Sequence, residues 1–176
     1  MTTVIIDTNV ILVANRQHAD VSEACVAACA KRLNEIVVGG CVAIDDDYRI
    51  LTEYQNKTKP HEGKRAGDAF LKWLLRNNAN PARCDCVALV EHTERGFESF
   101  PDDSRLAKFD PADRKFVAVA AAHPEKPPIA QAADSKWLAW APALGDHGVH
   151  VDFLCEDDLR CFDAQKKKKR RSGKGK

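Results

Sequence analysis

The chain has 176 residues, 44% of them hydrophobic and 30% charged, which suits one α/β domain with a sizeable core and not two. No apolar run approaches the roughly 18 residues of a membrane span, and the opening MTTVIIDTNV lacks the basic start and long apolar stretch of a secretory signal, so a soluble, cytoplasmic protein is expected. The net charge of +1 hides an asymmetry: residues 166–176 (KKKKRRSGKGK) hold eight Lys and Arg and no acid, leaving 19 basic residues against 26 acids in the body.

Residues 3–13 (TVIIDTNVILV) are apolar and β-branched around one Asp, the pattern of a strand buried on both faces of a parallel sheet. Residues 20–38 place Val21, Ala24, Cys25, Ala28, Cys29 and Leu33 at helical spacing, with Asp20 or Ser22 as the cap and Gly39-Gly40 as the stop. CVAID (41–45) reads as the second strand. The acids Asp45, Asp46 and Asp47 then open a helix to about Lys57, mostly as caps and solvated surface. Residues 62–77 carry Ala66, Phe70, Trp73 and Leu74 on one stripe, a further amphipathic helix.

CDCVALVE (84–91) reads as a strand, and 94–110 as a charged loop. A helix runs from Asp110-Pro111 to about His123, with Asp110 capping it. IAQAA (129–133) is a short strand, 135–144 a helix ending at Gly145, VHVDFL (149–154) the last strand and 156–164 a short helix. This alternation predicts an α/β three-layer sandwich: a central, mostly parallel sheet with helices on both faces. Residues 1–164 form the domain, and 165–176 a basic tail expected to be disordered. The seven cysteines are odd in number and lack a Cys-x-x-Cys; they read as small buried hydrophobes in a reducing compartment. Cys84, Cys86 and His92 fit no common zinc spacing. Trp73, Trp137 and Trp140 read as core.

Active sites of open parallel sheets form beyond the carboxyl ends of the strands. Asp7, Asp113 and Asp134 map to that rim, and Glu53 lies on the helix after the second strand. A buried carboxylate such as Asp7 needs a cation or a set of donors. Oxygen ligands without His or Cys favour Mg2+ or Mn2+, as one ion or two, over zinc. No phosphate-cradling Gly loop, Gly-x-Ser-x-Gly elbow or His-Glu-x-x-His is present, which removes support for NTPase, serine hydrolase and zinc protease readings.

Four segments carry a resemblance to PIN-domain nucleases, the family that includes the VapC-type toxins. VIIDTNVIL resembles the family's opening motif, with Asp7, Thr8 and Asn9 in place. AIDDDYRILTEY resembles the second, ending on Glu53. FDPADRKFVAVAAAH resembles the third, with Asp113 as its acid. AADSKWLAW resembles the fourth, with Asp134 as its acid, although Ala132 stands where Thr or Ser is common and Lys136 where a further acid is frequent. The resemblance spans about residues 3–154.

It implies a metal-dependent endoribonuclease, in which Asp7, Glu53, Asp113 and Asp134 hold Mg2+ or Mn2+ and a metal-activated water attacks phosphorus. Thr8, Asn9 and Ser135 would support or orient. It also implies RNA as substrate, a small protein antitoxin if the chain is a toxin, and a homodimer; no membrane is involved. The basic run Lys166, Lys167, Lys168, Lys169, Arg170 and Arg171 reads as a flexible arm that attracts RNA phosphates. Two other readings stay open: a catalytically silent PIN fold that binds RNA or acts as a scaffold, and a DNA-directed nuclease.

Overall fold

The computed structural model describes residues 2–58 and 63–172, with side chains through Lys169. Five strands form one sheet in the order β3-β2-β1-β6-β7, every neighbouring pair parallel. They are β1 (Thr3–Ile6), β2 (Cys41–Asp45), β3 (Cys84–Val87), β6 (Ile129–Gln131) and β7 (Val151–Phe153). β4 (Glu91–His92) and β5 (Gly96–Phe97) pair antiparallel as a separate hairpin. The helices are α1 (Thr8–Ala14), α2 (Glu23–Gly39), α3 (Arg49–Lys57), α4 (Ala66–Asn77), α5 (Arg114–Ala122), α6 (Trp137–Asp146) and α7 (Glu156–Ser172). The predicted α/β class and the layered, parallel sheet are what the chain adopts. Among the described residues no helix is long and apolar enough to cross a membrane.

The central strands explain the layering. β1 and β2 are buried along their whole length, so both faces need helices, as in parallel sheets generally. Ile5, Ile6, Val42, Ile44, Phe70, Leu71, Phe116, Val117, Ile129 and Trp137 meet in one continuous core. Trp137 is fully buried; Trp73 and Trp140 are partly buried against the core.

Several expected elements are revised. The apolar run 3–13 is not one strand. β1 stops at Ile6 and α1 begins at Thr8, because Asp7 caps a helix: its side chain accepts from the backbone N–H of Asn9. The periodicity could not separate them, since Val10, Ile11 and Val13 are as buried as the strand. Residues 84–91 divide into β3 and β4, and the expected loop 94–110 holds β5 and a 3-10 turn at Ser104–Leu106.

The cysteines also depart from expectation. Cys25 on α2 is disulfide-bonded to Cys155, just before α7. Cys29, Cys41 and Cys84 are buried free thiols as expected, while Cys86 and Cys161 are exposed. The spacing gave no hint of the bridge, whose partners lie 130 residues apart.

Residues 165–172, expected to be part of a disordered tail, are instead helical, the last turns of α7. Acids at Glu156, Asp157 and Asp158 suit the N-terminal end of α7 and lysines suit its far end. Asp158 accepts from the backbone N–H and hydroxyl of Ser22, at 2.7 and 2.9 Å, and holds the start of α7 on α2. The side chains of Arg170 and Arg171, and residues 173–176, lie outside the described residues.

α4 packs on α1 with very little space. A Cβ on Gly67 would come within 2.6 Å of the carbonyl oxygen of Ile11, so only glycine fits. The contact is closed by the buried pair Asn15 and Asp68, whose amide donates to the carboxylate at 2.9 Å.

Candidate functional site

From β1 the chain builds β2 and β3 on one side of the sheet, and later β6 and β7 on the other. The carboxyl ends of β1 and β6 therefore flank a crevice where ligands bind in such folds. Asp7 follows β1 immediately. Its backbone N–H donates to the carbonyl of Ala130 on β6 at 2.9 Å, and its Oδ1 accepts from Asn9 N–H at 2.9 Å. The residue is only 2% exposed. Burial pushes its carboxyl pKa up to about 8, and the charges of Asp113, Glu53 and Asp134 push the same way; only the Asn9 hydrogen bond opposes them.

Glu53 is delivered by α3. The hydroxyl of its neighbour Tyr54 donates to the carbonyl of Ile6 and clamps this helix to the end of β1. Both carboxylate oxygens of Glu53 are engaged. Oε1 accepts from the Thr8 hydroxyl at 2.5 Å, and Oε2 pairs with Lys115 Nζ at 2.5 Å. Lys115 is itself 9% exposed, and its ammonium also donates to the carbonyl of Ala112.

Asp113 ends a 3-10 turn, Pro111–Asp113, that leads into α5. Burial pushes its pKa up to about 6; the charges of Asp110, Glu53 and Asp134 add to this and Lys115 counters it. Asp110 accepts from Ala112 N–H and caps the turn, as expected. Asp45 likewise is a cap, accepting from the N–H groups of Arg49 and Ile50 at 2.8 Å each.

Asp7, Asn9, Arg49, Glu53, Lys57 and Asp113 line one open cavity of about 490 Å³. Asp134 is not among the residues lining it, but its charge reaches both Asp7 and Asp113. Its Oδ1 accepts from Lys136 N–H at 2.9 Å. A cavity of similar size, about 510 Å³, lies at the end of α2 beside Val4 and holds a single acid, Glu35. The four acids singled out in the sequence thus share one electrostatic neighbourhood. Thr8 serves Glu53, Asn9 faces the cavity, and Ser135 is taken by a hydrogen bond from Lys166 Nζ at 2.9 Å.

The donor set suits a hard cation. Lys115 neutralises Glu53, whereas Asp7 is held in its protonated form by burial and by the neighbouring acids, so a cation arriving there would displace a proton. Among the described residues no three carboxylates bring oxygens within 4.8 Å of one another; the only His, Cys, Asp or Glu group that does so is Cys25, Cys29 and Cys155, two of which are bonded to each other. Magnesium takes one or two carboxylates and keeps several waters, so it matches this looser spacing. A tetrahedral zinc site requires closer ligands.

Two contributors escaped the sequence. Lys115 had a signal: a cation on the first turn of an otherwise apolar helix opposes the helix dipole, and such local conflicts mark functional or paired residues. Arg49 had none: besides its near neighbour Asp47, at 3.0 Å, its partners lie on the β4–β5 hairpin. It pairs with Glu91 at 2.8 Å and sits 5.3 Å from the Phe97 ring centroid, so the β4–β5 hairpin steadies the cavity rim. In comparisons with known proteins, no family model, curated protein or solved structure matches the chain.

Proposed function

We propose that the chain is a PIN-type, divalent-cation-dependent endoribonuclease. The observation that carries this reading is Asp7: a fully buried carboxylate at the switch point of the sheet, surrounded by three further acids with one lysine among them. A site of this kind is unfavourable by itself and favourable around a cation. Asp7, Asp113 and Asp134 would hold Mg2+ or Mn2+, directly or through water. The ion would supply neutralisation of the phosphate and a lowered pKa for water.

The remaining roles belong to the protein's own groups. Glu53, fixed by Thr8 and Lys115, orients the attacking water and accepts its proton. Asn9 offers an amide donor to a phosphate oxygen. Water attacks phosphorus in line, the bond to the 3′-oxygen breaks and that oxygen takes a proton from solvent, so the products carry a 5′-phosphate and a 3′-hydroxyl. Lys115, beside the same carboxylate, donates to the developing charge on the phosphate. The resemblance suggests a small protein inhibitor and a second copy as partners and the cytoplasm as the place of action; the Cys25–Cys155 bridge is a pairing that compartment would tend to reduce.

The test is cleavage of end-labelled single-stranded RNA, beside DNA of the same sequence, with Mg2+, Mn2+ or EDTA. RNA cleavage that needs the cation and vanishes in Asp7→Asn is expected. Binding without cleavage under every condition would replace this reading with that of a silent RNA-binding fold, and preferential cleavage of the DNA with that of a DNA nuclease.

A further inference from the structure

Beside the acidic site lies a second cavity of about 300 Å³, lined by His18, Ala133, Phe162, Lys166 and Lys169, with Asp20 as its one acid. Among the described residues the two cavities have no lining residue in common, but the segment 133–135 connects them. Ala133, Asp134 and Ser135 are consecutive: Ala133 lines the second cavity, the charge of Asp134 reaches Asp7, and Ser135 receives the ammonium of Lys166 at 2.9 Å. We propose that the basic end of α7 and this cavity form a binding track for the phosphate backbone of a single-stranded nucleic acid, holding the substrate on the Asp134 side of the acidic site. The inference rests on the nuclease reading for where the cut falls, but not for the binding itself.

Helical spacing sorts the lysines. Lys166 and Lys169 are three apart on one face of α7 and both line the cavity. Lys167 turns elsewhere and pairs with Asp163 at 2.6 Å. The basic end of α7 is aimed, not loose, because the opposite end is fixed twice, by the Cys25–Cys155 bridge and by Asp158 on Ser22. Lys166 spends one of its three N–H donors on a neutral hydroxyl, which leaves its charge uncompensated there. Phe162 adds an apolar ring in the same cavity, the kind of surface on which a base stacks irrespective of sequence. Acidic surroundings repel a polyanion, so a cationic track next to Asp134 offsets that repulsion where it matters.

The experiment is fluorescence anisotropy of a labelled single-stranded RNA with the full chain in EDTA, across a salt series. Lys166→Ala/Lys169→Ala is compared with Lys167→Ala/Lys168→Ala, which removes the same charge from the same helix. Each lost contact to a single strand removes about 0.7 from the slope of log K against log salt, so two lost contacts flatten it by about 1.4 and weaken binding about 25-fold at 0.1 M salt. Only the first pair should do this, with unchanged thermal melting.

Equal effects of the two pairs would reduce the tail to diffuse attraction and overturn the track. So would undetectable RNA binding by the parent chain, or competition by poly-glutamate as strong as that by RNA, which would mark a docking surface for an acidic protein. Because EDTA removes cleavage from the measurement, a track that binds in a chain that never cuts leaves this inference standing and the nuclease reading fallen.

Discussion

Replacing Asp7 by Asn should make the metal-free protein more stable, although it removes a candidate ligand. The folded chain holds the Asp7 proton up to about pH 8, against an ordinary value of 3.8 in the unfolded chain. Between those limits unfolding releases a proton, and the native state is penalised by 1.36 kcal/mol for every pH unit above the lower one. The penalty is absent below pH 3.8, about 2 kcal/mol at pH 5, about 4 kcal/mol at pH 7 and constant above pH 8. Asn keeps the helix cap, because its side-chain oxygen accepts from the same N–H of residue 9.

Asp7→Asn should therefore gain about 2 to 4 kcal/mol at pH 7, which for a chain of this size is roughly 5 to 15 °C in Tm. The gain should shrink to about 1 kcal/mol at pH 5. Thermal melts in EDTA at pH 5, 6, 7 and 8 read it directly. A variant less stable than the parent at pH 7, or a difference that does not change with pH, would mean that Asp7 is already compensated and that no cation is called for.

Two other perturbations address separate parts of the account. Lys115→Met removes the cation that neutralises Glu53; the site should then take up a second Mn2+, and the metal-free protein should lose about 1 to 3 kcal/mol from the half-buried carboxylate left without its partner. A Mn2+ stoichiometry and a melting temperature both equal to those of the parent would refute the pairing. Reduction of the Cys25–Cys155 bridge, or Cys25→Ser/Cys155→Ser, releases a closure of 130 residues and should cost about 3 to 5 kcal/mol. Denaturant melts with and without reductant measure the loss, and coincident curves would show that the bridge contributes nothing.

Much of the fold could be read from periodicity. CVAID (41–45) matches β2 residue for residue, because a short β-branched run between a Gly-Gly stop and acids has few other readings. The junction of β1 with α1 was not legible, since strand and helix are equally buried and the only punctuation is Asp7 itself. The site acids could be listed from rim positions and from the motifs, and they do share one neighbourhood. Their spacing could not: it depends on Tyr54 clamping α3 to Ile6 and on Lys115 reaching Glu53, both long-range contacts. The tail misled for a different reason. Composition without apolar residues reads as disorder, but lysines are good helix formers, and here they continue a helix anchored by Asp158 and Cys155.

The proposed nuclease activity requires that Asp7 bind a divalent cation. Isothermal titration of Mn2+ into the metal-free chain at pH 7, repeated in buffers of different ionisation enthalpy, measures both the ion and the proton it displaces. One ion bound with the release of close to one proton, tighter at pH 8 than at pH 6, and no binding in Asp7→Asn, is the predicted result. Absence of binding in the parent chain, or binding that Asp7→Asn leaves intact, would contradict it.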